Sequence, residues 1–128
     1  MSATIAKRPA KQTVPVGTES DFPTGKFVIM TVADQEIGIV RLQAGELRAV
    51  RNWCPHKGAP ICQGIIGGTW APSEPGALSF EREGEVLICP WHGYEYDLHT
   101  GKELYQPVPT RLRMYPVSVE DGQVFVTV

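Results

Sequence analysis

The chain contains two similar segments, Cys54-Pro55-His56-Lys57-Gly58 and Cys89-Pro90-Trp91-His92-Gly93-Tyr94. Each segment pairs a cysteine with a histidine two or three residues later, and each has a proline directly after the cysteine. Thiolate and imidazole are both good ligands for transition metals. The prolines stiffen the turns, and the glycines permit positive φ and a close approach of the backbone. We therefore expect two loops that share one metal centre.

The candidate ligands are Cys54, His56, Cys89 and His92. Two thiolates and two imidazoles suit an iron–sulfur cluster, in which imidazole in place of thiolate makes reduction easier. The close spacing lets each loop supply one ligand to each of two irons. The same four residue types could form a structural zinc site, which is disfavoured by the short Cys-x-His spacing.

Short β-type runs separated by turn signals make up most of the remaining chain. These runs are Phe27–Val32, Ile37–Leu42, Glu46–Arg51, Val86–Ile88, Met114–Val119 and Val124–Val128. Asp34-Gln35 is predicted as the first turn, and the Asp-Gly pair in Glu120–Gln123 is a strong hairpin signal. No segment shows a convincing 3.6-residue periodicity. The pattern predicts an all-β fold, an antiparallel sandwich or barrel.

Length and composition favour one globular domain. The chain has 128 residues, 42% of them hydrophobic and 20% charged, with a formal net charge of −2. We expect no nucleic-acid partner, because no basic stripe is visible. We also expect no membrane partner and a cytoplasmic location, because no long apolar run or secretory signal pattern is present. An odd number of cysteines without an export signal argues against a disulfide framework.

Two segments are predicted to lack regular structure. Residues 1–15 are polar and include two prolines, so we expect them to be disordered and the single domain to span residues 16–128. Residues 64–85 are rich in glycine and proline and are predicted to be an irregular insertion, in which Leu78–Glu81 could form a short strand.

The two loops resemble those of the Rieske iron–sulfur proteins, and the first loop is similar to that of Rieske ferredoxins. The similarity is carried by Trp53–Cys62, Cys89–Asp97, Thr100–Lys102 and Arg113–Val117, and it extends over roughly residues 24–128. It implies the Rieske fold, an antiparallel β core with a small inserted cluster-binding subdomain at about residues 52–98. It further implies one [2Fe–2S] cluster, with the two cysteines on one iron and the two histidines, near the surface, on the other. The residues expected around the ligands are Gly58, Trp91, Gly93 and Tyr96.

The sequence also departs from the Rieske proteins of respiratory and photosynthetic complexes. The cysteines of their inter-loop disulfide would fall at Ala59 and Trp91, so that disulfide cannot form. Tyr94 stands where they have a serine that bonds a bridging sulfur, whereas Tyr96 matches a tyrosine that bonds a ligand cysteine. Fewer hydrogen bonds to sulfur destabilise the reduced cluster, so we expect a potential on the order of −150 mV.

Two other residues have metal-ligand chemistry. Cys62 could be a ligand or a redox thiol, but we expect a small buried apolar residue at the base of the loop. His99 lies in a predicted turn and is expected to be exposed and without function.

The resemblance implies a one-electron carrier, not an enzyme. It would accept electrons from a flavin-containing NAD(P)H reductase and deliver them to a terminal oxygenase. The alternative is a non-catalytic Rieske subunit of a larger oxidoreductase, such as an oxygenase or a nitrite reductase. Oxygenase catalysis needs a mononuclear iron held by two histidines and a carboxylate, and only His99 remains beside the proposed ligands. A redox sensor or a structural domain is a third, less favoured hypothesis.

Overall fold

The computed structural model describes residues 11–74, 77–91, 93–107 and 109–128, in which ten β-strands form three antiparallel sheets. The strands are β1 (Thr13–Thr18), β2 (Val28–Val32), β3 (Gln35–Arg41), β4 (Leu47–Arg51), β5 (Ile65–Glu74), β6 (Ala77–Ile88), β7 (Glu95–Asp97), β8 (Met114–Tyr115), β9 (Val117–Glu120) and β10 (Gln123–Thr127). The strand orders are β1-β10-β9, β2-β3-β4-β8 and β5-β6-β7. The predicted all-β antiparallel fold is confirmed.

The sheet β2-β3-β4-β8 separates two hydrophobic cores. Side chains alternate across a strand, so Ile39 and Ala49 face one core while Val40 and Val50 face the other. The first core consists of Val40, Leu42, Val50, Cys54, Ala59, Ile61, Cys62, Leu87, Cys89, Tyr96, Leu98 and Leu112. The second core consists of Phe22, Val32, Ile37, Ile39, Leu47, Ala49, Tyr115, Val124 and Val126. Cys54 and Cys89 thus share the first core.

Helical structure in the described ranges is limited to two 3₁₀ turns, Glu19–Asp21 and Ile61–Gln63. Neither turn approaches the length and apolar character that a helix needs to cross a membrane. The second turn follows the first cysteine loop and buries Ile61 and Cys62 in the first core.

Two-residue hairpin turns join β2 to β3 and β9 to β10. Asp121 and Gly122 link β9 to β10 with φ of 51° and 77°, which confirms the Asp-Gly prediction. Ala33 and Asp34 link β2 to β3 with φ of 47° and 65°, and Val32 pairs with Gln35. The predicted turn at Asp34-Gln35 was therefore one residue too late.

Regular structure begins earlier than residue 16. Thr13–Thr18 forms β1, which pairs with β10, so residues 13–15 do not lack fixed structure. Pro15 suggested a disordered tail, but β1 is an edge strand, where a proline is tolerated. Val14 and Val16 pack against the second core. The expectation for residues 1–10 lies outside the described residues.

The segment 64–85, predicted to be irregular, is mostly a long hairpin of β5 and β6. Its pairing register shifts between Gly67 and Thr69 and again between Pro72 and Glu74. Glycine and proline are tolerated at such bulges, so these residues interrupt the ladder without ending the strands. The short strand predicted at Leu78–Glu81 is part of β6.

Candidate metal centre

The two cysteine loops repeat the same backbone hydrogen bonds. In the first loop the Gly58 amide donates to the Cys54 carbonyl at 2.7 Å, and the Cys54 amide donates to the Ala59 carbonyl at 2.8 Å. In the second loop the Gly93 amide donates to the Cys89 carbonyl at 3.1 Å, and the Cys89 amide donates to the Tyr94 carbonyl at 2.8 Å. One loop geometry is therefore built twice from the matching Cys-Pro segments.

A glycine closes each loop in the left-handed region. Gly58 and Gly93 both have a φ of 73°, a conformation that costs residues with a Cβ atom about 1–2 kcal/mol. At Gly58 a Cβ would also lie 2.8 Å from Nε1 of Trp53. The glycine of each motif is therefore required by the turn itself.

The first loop is tied to strand β3 through Asn52. The Asn52 amide nitrogen Nδ2 donates to Oε1 of Glu36 at 2.6 Å, and its Oδ1 accepts the backbone N–H of Cys62 at 2.8 Å. One buried side chain thus joins the start of the loop to its end.

The exit of the first loop also lies against the strand that leads to Cys89. A Cβ at Gly64 would lie 2.0 Å from the carbonyl oxygen of Ile88, so only glycine permits this approach. The two loops are consequently held side by side at the ends of β4 and β6.

Both cysteine side chains are buried in the first core, Cys54 being 0% and Cys89 3% exposed. The Tyr96 hydroxyl oxygen lies 3.7 Å from Sγ of Cys54 and 3.2 Å from Oγ1 of Thr110. Burial raises the pKa of Tyr96, and the nearby Cys54 raises it further, against an opposing effect of Thr110. The hydroxyl therefore keeps its proton and lies close enough to donate it to the sulfur.

The His56 side chain is fixed on its ring face and at one nitrogen. Tyr94 stacks on the ring with 3.9 Å between centroids and an interplanar angle of 16°. The ring nitrogen Nε2 lies 2.7 Å from Oε2 of Glu103. Tyr94 thus acts on the imidazole of His56.

Glu103 is a buried residue of the site that the sequence analysis missed. Its side chain is 0% exposed, and its Oε1 accepts both the backbone N–H and the hydroxyl of Thr110 at 2.9 Å. Burial alone would raise the pKa of Glu103, but the hydrogen bonds from Thr110 and His56 outweigh it and lower the pKa. An isolated bridge pairs Glu103 with Tyr96, a partnership across strands that no local pattern indicates.

His92, the fourth predicted ligand, lies outside the described residues. Among the described residues no three His, Cys, Asp or Glu side chains form a group able to hold a metal ion. The structure therefore places Cys54, His56 and Cys89 on the paired loops, and the complete ligand set stays a prediction.

The remaining predicted residues lie as follows. Trp91 is 56% exposed, and Gly93 is exposed as well. Cys62 is buried, and burial together with Glu36 raises the pKa of its thiol to about 12, as expected of an inert core residue. His99 is exposed as predicted, with Nε2 3.1 Å from Glu85 and Nδ1 3.3 Å from Arg48.

The fold is that of the Rieske proteins. The Rieske [2Fe-2S] domain family matches residues 12–116, and the chain belongs to this family. It is 29% identical over 107 residues to "Naphthalene 1,2-dioxygenase system, ferredoxin component" of Pseudomonas putida, covering 84% of this chain and 86% of that protein.

Two solved structures share the fold. The Sphingomonas yanoikuyae B1 ferredoxin superposes with a TM-score of 0.69 at 21% identity, over 91% of this chain and 99% of that chain. The terminal oxygenase of carbazole 1,9a-dioxygenase from Nocardioides aromaticivorans IC177 gives a TM-score of 0.66 at 25% identity, over 89% of this chain and 29% of that chain. The first of these likenesses shows the fold alone.

The residues present fit the cofactor of the family, a Rieske-type [2Fe–2S] cluster. Two thiols share one core on repeated loops, and a hydroxyl lies beside one sulfur. His56 uses Nε2 for Glu103, which leaves Nδ1 for a metal. Thiolate and imidazole donors together are the ligand types of a Rieske centre, and membership of the Rieske [2Fe-2S] family favours the cluster over zinc.

Proposed function

We propose that this chain is a one-electron carrier whose cluster is held by Cys54, His56, Cys89 and His92. The observation that carries the proposal is the loop geometry built twice around two buried cysteines. When bound, the cluster supplies one-electron oxidation and reduction. The residues around it exclude water from the sulfurs and fix the imidazole of His56. We further propose that residues about 52–98 form the cluster-binding subdomain of a single domain that extends through β1.

We infer that the partners are a flavin-containing NAD(P)H reductase as donor and a terminal oxygenase as acceptor. The similarity to a dioxygenase ferredoxin component supports an oxygenase system. Trp53 is 47% and Trp91 56% exposed beside the loops, and exposed aromatic residues suit a protein interface. An electron-transfer interface can be small and transient. We also propose a cytoplasmic location, because an odd number of cysteines does not suit a disulfide framework.

The second candidate is a non-catalytic Rieske subunit of a larger oxidoreductase. Both candidates require the same cluster, and neither requires catalysis by this chain. The sequence has three histidines, and after two ligands only His99 remains for a mononuclear iron that needs two. The two candidates differ in whether the chain works as a separate protein.

The experiment that tests the proposal is electron paramagnetic resonance on anaerobically purified, dithionite-reduced protein, with iron, zinc and sulfide counted on the same sample. We expect a rhombic signal with an average g below the free-electron value and about two irons and two sulfides per chain. Cys54→Ser and Cys89→Ser should abolish the signal, whereas the matched control Cys62→Ser should keep it. About one zinc per chain, and failure of reconstitution with iron and sulfide, would refute the carrier.

We further propose that the hairpin of β5 and β6 determines which partner protein this chain docks with. Thr69 pairs with Glu81, so residues 70–80 can be replaced by an Asn-Gly turn, which suits a two-residue hairpin. We expect an unchanged cluster signal and slower oxidation by a terminal oxygenase in stopped-flow measurements. Loss of the cluster would instead show that the hairpin supports the fold, and an unchanged rate would exclude a role in docking.

A further inference from the structure

We propose that Glu103 is a positioning residue that holds His56 in the tautomer needed for iron ligation and keeps the cluster potential low. The inference rests on the proposed ligand role of His56. It concerns a buried carboxylate that lies outside both cysteine loops.

The geometry of the pair determines the tautomer. Oε2 of Glu103 lies 2.7 Å from Nε2 of His56, and an ionised carboxylate can only accept hydrogen bonds. Nε2 must therefore carry the hydrogen. A neutral imidazole protonated at Nε2 has its lone pair on Nδ1, which is then the nitrogen that can bind a metal. Ligand histidines commonly donate their other N–H to a carboxylate, which fixes the ring and increases its basicity.

Glu103 is itself held by Thr110. The backbone N–H and the hydroxyl of Thr110 both donate to Oε1 at 2.9 Å, and Oε2 is left for His56. The carboxylate therefore makes three hydrogen bonds at full burial. Such a group cannot swing away without leaving charge buried and unpaired, which is costly.

The network continues to the first cysteine. Oγ1 of Thr110 lies 3.2 Å from the Tyr96 hydroxyl, which lies 3.7 Å from Sγ of Cys54. A single chain of contacts thus joins a candidate ligand of one iron to a candidate ligand of the other. Glu103 contributes a fully buried carboxylate to this chain of contacts.

The negative charge of Glu103 lowers the reduction potential of the cluster. Reduction adds an electron, and a nearby buried negative charge is weakly screened by solvent. The charge therefore disfavours the reduced form. A more basic, hydrogen-bonded imidazole has the same sign of effect, because it donates more strongly to its iron.

The test compares E103Q and E103L with E85Q on the full chain at one fixed pH. E103Q keeps an acceptor oxygen and removes the charge, whereas E103L removes both. E85Q is the matched control, because it removes a carboxylate that contacts Nε2 of His99 at 3.1 Å. The readouts are iron and sulfide content, the g values of the reduced protein, circular dichroism and the midpoint potential.

We expect both Glu103 variants to be more easily reduced. At the wild-type midpoint potential the ratio of reduced to oxidised protein should rise about tenfold, equivalent to about 59 mV for one electron. E103L should also shift the g values, and E85Q should match the wild type. Loss of the cluster from folded E103Q and E103L, with E85Q fully loaded, would equally support the positioning role.

Wild-type potential and g values in a loaded E103Q or E103L would overturn the inference, as would failure of both variants to fold. These outcomes leave the proposed function intact. A wild-type protein without a Rieske signal would instead refute the proposed ligand set itself. The two failures are therefore distinguishable on the same set of samples.

Discussion

The hydroxyl group of Tyr96 lies beside the buried sulfur of Cys54. The Tyr96 hydroxyl lies 3.7 Å from Sγ of Cys54, and its ring is part of the first core. Tyr96→Phe should keep the packing and remove the hydrogen-bond donor. We expect a lower midpoint potential, because a donor to sulfur stabilises the reduced cluster, and a loss of about 1 kcal/mol in unfolding free energy.

The matched control is Tyr115→Phe. Tyr115 is also buried, and its hydroxyl donates to Gln35, but it belongs to the second core. The Tyr115→Phe variant should lose a similar amount of unfolding free energy in urea titrations. Its midpoint potential should equal that of the wild type in spectroelectrochemical titrations. Equal potentials for wild type and Tyr96→Phe would show that the hydroxyl does not act on the sulfur.

Cys62 provides a prediction with a defined pH range. Its thiol pKa is raised from 9.0 to about 12 by burial, so the thiol ionises more readily in the unfolded chain. Above pH 9.0 the unfolded state therefore binds fewer protons, and this thiol's contribution to stability falls until about pH 12, by at most about 1.4 kcal/mol per pH unit. Urea unfolding from pH 8 to 11 should show a steeper loss of stability for wild type than for Cys62→Ala. Parallel curves of stability against pH for wild type and Cys62→Ala would contradict the raised pKa of Cys62.

The position of a single residue in a site can be predicted from sequence when its neighbours in the site are also its neighbours in the chain. The placement of Cys54 and Cys89 on matching loops was predictable because cysteine, proline and glycine lie close together in each segment. Glu103 was not, since it reaches His56 only after the chain has turned at Leu98–Gly101 and come back opposite Tyr96. A charged residue in an exposed-looking Thr-Gly-Lys-Glu run gives no sign of burial.

At the scale of elements, the paired loops predict unequal costs for the same substitution. Gly58 and Gly93 share a φ of 73°, but a Cβ at Gly58 would lie 2.8 Å from Trp53, whereas at Gly93 no described atom lies within 4 Å. Gly93→Ala should cost about 1–2 kcal/mol from the backbone alone, and Gly58→Ala should cost more.

A double-mutant cycle separates the two contributions. In a Trp53→Ala background the extra cost of Gly58→Ala should disappear, while the cost of Gly93→Ala should not change. Unfolding free energies from urea titrations of all five variants and the wild type measure this. An unchanged cost of Gly58→Ala without the indole would mean that the contact with Trp53 does not matter.

The elements themselves were predictable where β-type apolar side chains form a short run with at least one buried face. Strands β2, β3, β4 and β10 follow such runs, and the Asp121-Gly122 turn has its expected conformation. The hairpin of β5 and β6 was missed because bulges at Gly67 and Pro72 resemble chain breaks. Strand β1 was missed because an edge strand tolerates Pro15. Both errors arose because glycine and proline were taken to end a strand, whereas bulges and edge strands tolerate them.

For the whole molecule, the division into two cores predicts how the protein responds to loss of its cluster. The first core contains Cys54 and Cys89, whereas the second is closed by the pairing of β1 with β10 and contains neither. A group that binds only the folded state stabilises the part of the structure that its ligands belong to. Removal of the cluster should therefore destabilise the first core more than the second.

Hydrogen–deuterium exchange with mass spectrometry on anaerobic holo protein and chelator-treated apo protein tests this prediction. Peptides containing Cys54, Cys89 and Leu98 should exchange at least about tenfold faster in the apo protein, equivalent to about 1.4 kcal/mol. Peptides of β10, where Val124 and Val126 are buried in the second core, should change little. Reconstitution with iron and sulfide should restore the first set. Equal acceleration throughout would mean that the central sheet couples both cores into one cooperative unit, because β3 and β4 contribute side chains to each.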